Sequence, residues 1–234
     1  MQLPRRVSTL LQERAARLPR IWSNKVLRDI APHFTGEVIN ISGWKDADKE
    51  GGHYRNYFSA AGRYYLSNHA GHSGLADAAD ITDFAIDLEA PLTAELHQRF
   101  DVVFNHTVLE HIFDTHAAFA NLCAMSRDAV VLVVPFAQKM HYTDSFGDYW
   151  RFTPQALRKL FERQKMSVIY EAANNTFNAS VYLIVVGVRD CEAWNGRLPP
   201  YQPLTQLAQW IGKNPVRSLA HRIGILPRDR IDHE

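Results

Sequence analysis

Phe100-Asp101-Val102-Val103-Phe104-Asn105-His106-Thr107-Val108-Leu109-Glu110-His111-Ile112 opens as a short apolar run and breaks into polar side chains after Phe104. A run of Val and Phe without alternation reads as a strand buried on both faces. Helix-like text resumes at Asp114-Thr115-His116-Ala117-Ala118-Phe119-Ala120-Asn121-Leu122. A buried strand leading into a helix is the unit of an α/β, doubly wound sheet, whose ligands lie outside the carboxyl ends of the strands. Asn105 to His111 therefore falls where a site is expected.

Working outward, the residues before this stretch predict two helices over 7–34. Ser8 caps the first, which Pro19 interrupts; Ser23 or Asn24 caps the second, and Gly36 is positioned to end it. Short strands are expected at 38–41, 63–67 and 84–86, with a polar loop from Gly43 to Gly52 and a short helix or turn over Tyr54–Phe58. Residues 69–80, rich in Gly, Ala, Ser, His and Asp, read as loop or weak helix. Beyond 101–104 come a helix over 115–125 and a strand over 129–134, stopped by Pro135. Thr153-Pro154 is a strong helix start, a cap followed by proline in the first turn. Strands at 167–170 and 181–188 lie close enough to be antiparallel neighbours. Residues 190–234 hold five prolines and a helix expected from Leu204 to Ile211, with Leu207, Trp210 and Ile211 on one face. The chain thus divides into N-terminal helices (1–36), an α/β domain (37–189) and a C-terminal extension (190–234) that packs on the domain or on a partner, another copy of the chain included.

Composition bounds the function. With 46% hydrophobic and 22% charged residues over 234 positions, the chain can bury a sizeable core. A formal net charge of +1 offers no field for gripping nucleic acid. Two separated cysteines, Cys123 and Cys191, form neither a disulfide scaffold nor a metal-ligand pattern and suit a reducing compartment. Charged residues inside the first apolar region argue against a signal peptide, and no run reaches the roughly 20 apolar residues of a membrane span. A cytoplasmic protein is expected. His53, His69 and His72 are too loosely placed among glycines to predict a metal site.

Phe-Asp-Val-Val at 100–103 followed by Val-Leu-Glu-His-Ile at 108–112 resembles the fourth-strand motif of class I S-adenosylmethionine-dependent methyltransferases of the small-molecule type. The element order of that family recurs from about Val38 to Val188. The resemblance implies a Rossmann-like sheet of seven mostly parallel strands with a final antiparallel pair, and S-adenosylmethionine as cofactor. Such a site must hold a nucleoside bearing a sulfonium, and glycine after the first strand lets backbone approach it. The family has an acidic residue and three closely spaced glycines there. Here Ser42 and Gly43 are followed at once by Trp44, with Gly51-Gly52 later. The loop is either remodelled, with Gly51, Gly52 and Tyr54 restoring contacts, or a surface loop without a ligand.

At the end of the second strand Ser67-Asn68 replace the family's ribose-binding acid; Asn68 either bonds a ribose hydroxyl or starts a turn. Asp87 and Leu88 match the adenine position, with Asp80 and Asp83 nearby. Asn105 and His106 are expected to face the methionine end. Glu110-His111 resembles the family's Glu-His pair, which is either a helix-start device or, through His111, catalytic.

His141 and the block Asp148-Tyr149-Trp150-Arg151-Phe152-Thr153 are similar to a subset of these enzymes associated with glycan and surface-polysaccharide modification. Methyl transfer to a hydroxyl needs a base, and histidine is the natural one at neutral pH. His141, or His106, is the candidate, Asp148 would orient His141, and Arg151 would bind an anionic acceptor or brace the loop. The plainer alternative pairs Asp148 with Arg151 to hold the loop and buries Trp150 and Phe152. Three functions remain open: a methyltransferase acting on a small-molecule or saccharide acceptor, an inactive methyltransferase-like protein serving as a binding or assembly partner in a biosynthetic complex, or an enzyme on this fold using another nucleotide or none.

Overall fold

The computed structural model describes residues 18–69, 78–144, 146–175 and 180–208. The helix expected before Leu18, His72, and Trp210 with Ile211 lie outside them.

The first described helix, α1, is Pro19–Ile30, and a 3-10 turn, Ala31–His33, leads out of it. Pro19 opens α1, where a first-turn residue needs no N–H. Ser23 and Asn24, expected as caps, are instead buried one turn in. Strand β1 is Gly36–Ile41, β2 Ala61–Asn68, β3 Phe84–Ala85 and β4 Phe100–His106. Gly36, at φ 79, opens β1 a few residues after the helix has ended; a Cβ there would lie 2.1 Å from Asp101 Oδ2. Helix α2 is Thr115–Met125, with the Asp114 side chain accepting from the Ala117 N–H. Strand β5 is Ser126–Ala137, α3 Pro154–Arg163, β6 Ser167–Ala173 and β7 Val181–Val188. Thr153 caps α3 through the Ala156 N–H, as its sequence predicts.

The seven strands form one sheet in the order β3-β2-β1-β4-β5-β7-β6. β1 to β5 are parallel, and β7 enters antiparallel between β5 and β6. Pro135 does not stop β5. Pairing with β4 has ended at Val133, and the β7 register shifts between Pro135 and Ala137, so the missing N–H falls where the ladder is already interrupted.

Alternation along each strand feeds two cores. Val103, Val130, Leu132 and Leu183 pack under α2 and α3 with Phe119 and Phe161. Val102, Phe104, Val131 and Ile184 pack on the other face with Leu27, Phe34, Tyr54 and Phe58. The extension reaches both faces: Trp194 lies 4.9 Å from Phe34 on the second and donates its indole N–H to Asp128 at 2.8 Å, and Leu204 and Leu207 pack against the first core. The helix expected from Leu204 is not formed over Leu204–Ala208; that backbone donates instead to side chains of the domain, Leu204 N–H to Glu171 and Ala208 N–H to Asn175. No helix among the described residues is long and apolar enough to cross a membrane.

Candidate functional site

The strand directions put the carboxyl ends of β1, β2, β3, β4 and β5 on one edge, with the start of β7 beside them at the Pro135–Tyr182 pairing. The loop after β1 is held there by its own carboxylates. Asp46 and Asp48 are buried. Asp46 accepts from Asn40 Nδ2 at 2.8 Å, the Tyr64 hydroxyl at 2.7 Å and the Arg55 N–H at 3.0 Å. Asp48 accepts from the Tyr57 hydroxyl at 2.7 Å and from the Glu50 and Gly52 N–H groups. Neither Asp46 nor Asp48 stands out by its sequence context, because partners such as Tyr64 and Arg28 lie 18 and 20 residues away.

Ser67 and Asn68 face this loop. Ser67 Oγ accepts from the Ser42 N–H at 3.2 Å. The Asn68 amide accepts from the Trp44 N–H at 2.7 Å and donates to the Trp44 carbonyl at 3.1 Å and to Thr82 Oγ1 at 2.7 Å. Asn68 is thus a clasp on the β1 loop rather than a group presented to a ribose. Trp44 is 49% exposed, with the Lys45 ammonium 5.0 Å from its ring centroid. Asp87 is exposed, with His69 Nε2 3.7 Å away, and Leu88 beside it is buried.

At the end of β4, Asn105 and His106 point to opposite faces. Asn105 is fully buried; its Nδ2 donates to the Ile41 carbonyl at 3.1 Å, and its Oδ1 has no partner. Among the described residues the buried side-chain atoms left unpartnered are Asn40 Oδ1, Asn105 Oδ1, both Glu110 carboxyl oxygens and Thr115 Oγ1. Asn40 Oδ1 and Asn105 Oδ1 can only accept, and lie at the carboxyl ends of β1 and β4. Such a set fits a ligand that brings donors or positive charge.

His106 is a correction to the expected catalytic set. Arg20 donates to its Nδ1 at 3.0 Å, which leaves Nε2 to carry the proton toward Ser23 Oγ at 3.1 Å. Burial first, and then the Arg20 and Lys49 charges, push its pKa well below the usual imidazole range. With its lone pair engaged and its ring buried, His106 is not placed to act as a general base.

Glu110, expected to begin the next helix, does not do so. A single 3-10 turn, Leu109–His111, holds it fully buried. Burial raises its pKa to about 8. Its backbone carbonyl accepts from the Tyr149 and Trp150 N–H groups and so anchors the long loop after β5. His111 Nδ1 is 2.6 Å from the Gly147 carbonyl, which makes Nδ1 the donor and leaves Nε2 the lone pair, 3.8 Å from Glu110 Oε1. Burial lowers the His111 pKa, opposed by the Gly147 bond.

The His141 ring meets that of His111 edge-on at 4.9 Å between centroids and is 47% exposed. Asp148 does not orient this ring: its Oδ2 is 3.7 Å from Nδ1 and accepts instead from the His141 backbone N–H at 2.7 Å. Arg151 binds Asp148 through both terminal nitrogens, at 2.6 and 2.7 Å, and holds its carboxyl down at about 2. Arg151 is therefore a brace, the plainer of its two expected roles. Trp150 is not a core residue; it is 39% exposed and donates to the Ile112 and Phe113 carbonyls, whereas Phe152 is buried. Beside the two histidines an open cleft of about 520 Å³ is lined by Tyr142, Thr143, Asp144 and Phe146 to Tyr149. Among the described residues no group of three or more His, Cys, Asp or Glu is arranged to hold a metal ion.

The order β3-β2-β1-β4-β5-β7-β6 with β7 reversed is the Rossmann-like fold of S-adenosylmethionine-dependent methyltransferases, and that class is what the solved structures of similar shape represent. One is magnesium protoporphyrin IX methyltransferase from Synechocystis PCC 6803 with bound S-adenosylmethionine, 13% identical, covering 81% of this chain and 86% of that one at a TM-score of 0.50. Another is the 1,6-didemethyltoxoflavin-N1-methyltransferase of Burkholderia thailandensis with bound 1,6-didemethyltoxoflavin and S-adenosylhomocysteine, 13% identical over 80% of this chain and 91% of that one, TM-score 0.51. No protein-family model and no curated protein sequence matches the chain.

Proposed function

We propose that the chain is an S-adenosylmethionine-dependent methyltransferase acting on a small-molecule or saccharide acceptor, at a hydroxyl. The observation that carries this reading is the pair of buried, unpartnered acceptors, Asn40 Oδ1 and Asn105 Oδ1, at the carboxyl ends of β1 and β4. Each such atom costs about 1–3 kcal/mol when left without a donor. A ligand with an ammonium and a sulfonium supplies what they lack. S-adenosylmethionine, when bound, supplies an electrophilic methyl group. Ser42, Gly43, Asp87 and Leu88 would hold its nucleoside and Asn105 its methionine end, with Ser67 and Asn68 acting indirectly by fixing the loop. His141, at the exposed edge of the cleft, takes the proton of the attacking hydroxyl, and His111 packs behind it. The β5 loop holds the acceptor in line, which is where much of the rate arises.

One observation favours a second reading, an inactive methyltransferase-like binding partner: the Asn68 amide is committed to Trp44 and Thr82 where the family offers a free carboxylate. Calorimetric titration with S-adenosylhomocysteine separates the two. A bound stoichiometry near one and a raised melting temperature are expected; no heat and no shift at millimolar ligand would leave the second reading. With binding established, His141→Ala should lower turnover on the order of a hundredfold while cofactor affinity stays within twofold. Unchanged turnover would remove His141 from the mechanism.

A further inference from the structure

The Glu110 carboxyl is a buried titratable group that the chemistry proposed above does not use. It is fully buried, and neither oxygen has a hydrogen-bond partner. Its Oε1 lies 3.8 Å from His111 Nε2, longer than a hydrogen bond but within reach of a small side-chain rotation. The other edge of that imidazole is fixed: Nδ1 meets the Gly147 carbonyl at 2.6 Å, so Nδ1 carries the proton and Nε2 is a bare lone pair. A protonated carboxyl can donate, and a bare Nε2 can only accept.

Both residues hold the loop after β5. The Glu110 backbone carbonyl accepts from the Tyr149 and Trp150 N–H groups at 2.8 and 3.2 Å, and His111 donates to Gly147. The His111 ring also packs on Phe146 at 4.6 Å and on His141 at 4.9 Å between centroids. Phe146 to Tyr149 form part of the wall of the open cleft. Which nitrogen of His111 carries its proton therefore bears directly on that wall.

Among the described residues, the charged and titratable groups acting on the pair come from three elements. Helix α1 contributes Arg20, the β5 loop His141, Asp148 and Arg151, and β7 Tyr182. Asp148 and Arg151 are bonded to each other, and Arg20 to Tyr54, His106 and Thr107. Burial is the largest influence on both members: it lifts Glu110 to about 8 and lowers His111, which leaves the acid protonated and the ring neutral at pH 7.

We propose that Glu110 is a positioning residue whose O–H donates to His111 Nε2, fixing the Nδ1–H tautomer and thereby locking Gly147 and the cleft-lining loop in place. Ionisation reverses this. The Glu110 proton passes to solvent, and a carboxylate repels a lone pair, so the ring shifts its own proton from Nδ1 to Nε2. Bare Nδ1 then faces the Gly147 carbonyl, acceptor against acceptor. That contact opens, and the loop loosens as pH rises through about 8. That the lock serves methyl transfer rests on the methyltransferase reading; the lock itself does not.

Full-length protein labelled with 15N is followed by NMR from about pH 6.5 to 9.5, with the His111 ring nitrogens assigned. Hydrogen exchange is read at the Tyr149 and Trp150 amides and corrected for the intrinsic effect of pH. Expected are a protonated Nδ1 at the lower end, a protonated Nε2 at the upper end, and loss of amide protection by tenfold or more between them. Glu110→Gln, whose amide N–H donates at every pH, should keep the Nδ1–H tautomer and the protection throughout. A His111 tautomer that does not change with pH in the parent protein overturns the lock, whether or not the variant folds. A change that persists in Glu110→Gln overturns the assignment to Glu110. Titration with S-adenosylhomocysteine at pH 7 tests the methyltransferase reading separately. A tautomer change without S-adenosylhomocysteine binding supports the lock while removing that reading; binding with a fixed tautomer overturns the lock and leaves the reading.

Discussion

Replacing Glu110 by Gln should raise the melting temperature at pH 8 and leave it nearly unchanged at pH 4. The Glu110 carboxyl is fully buried with neither oxygen bonded, and burial lifts its pKa from 4.5 to about 8. An acid whose folded pKa lies above its unfolded value binds more protons in the folded state between those two values. Its stabilising contribution is complete below 4.5 and is lost as pH rises through about 8. At about 1.4 kcal/mol per pKa unit, the upper bound on that loss is roughly 5 kcal/mol. Relaxation around the ionised group will reduce it. Gln keeps the shape and never ionises, so it removes the pH-dependent part alone. At about 2–4 °C per kcal/mol for a chain of this size, the gain at pH 8 should be on the order of 5–10 °C. Thermal unfolding followed by circular dichroism at the two pH values reads it; an equal change at both would mean that Glu110 is not held protonated in the folded protein.

Gly43→Ala should destabilise the chain and detach the β1 loop. A Cβ at Gly43 would stand 2.4 Å from Asn40 Nδ2 and 2.6 Å from Leu66 Cδ1. Neither neighbour can retreat freely. Leu66 is fully buried in β2, and Asn40 Nδ2 is the donor that supports buried Asp46 at 2.8 Å. Overpacking of this kind costs about 1–3 kcal/mol, and a weakened donor to a buried carboxylate adds about 1–3 kcal/mol. Because the same loop carries Ser42 and the Trp44 backbone held by Asn68, cofactor affinity should fall tenfold or more. Gly62→Ala is the control: its nearest neighbour, the Gly36 carbonyl oxygen at 3.6 Å, is in ordinary contact. Urea denaturation that finds the two variants equally stable would contradict the tight packing of Gly43 on Asn40.

The fold was readable wherever local signals agreed with burial. The unbroken apolar text of β4 and β5, the Thr153-Pro154 start of α3 and the spacing of the last two strands each named their element. Pro135, misread as a breaker, sits where the missing N–H was not required, beyond the β4 ladder. The site was less readable because its chemistry depends on contacts distant in sequence. Nothing local tells that His106 is silenced by a residue 86 positions away, that Asn68 is turned onto the Trp44 backbone, or that Glu110 is denied every donor. Arg20 carried one local signal, a cation at the unfavourable end of a helix, visible only once Pro19 is taken as the first helical residue.

The proposed cofactor site lies at the carboxyl ends of β1 and β4. A crystal structure of the protein grown with S-adenosylhomocysteine tests it most directly. Expected are the ligand's amine within hydrogen-bonding distance of Asn105 Oδ1, its adenine beside Asp87 and Leu88, and the Asn68–Trp44 clasp intact. A ligand seated elsewhere, or none bound at saturating concentration with Asn105 Oδ1 still unpartnered, would contradict it.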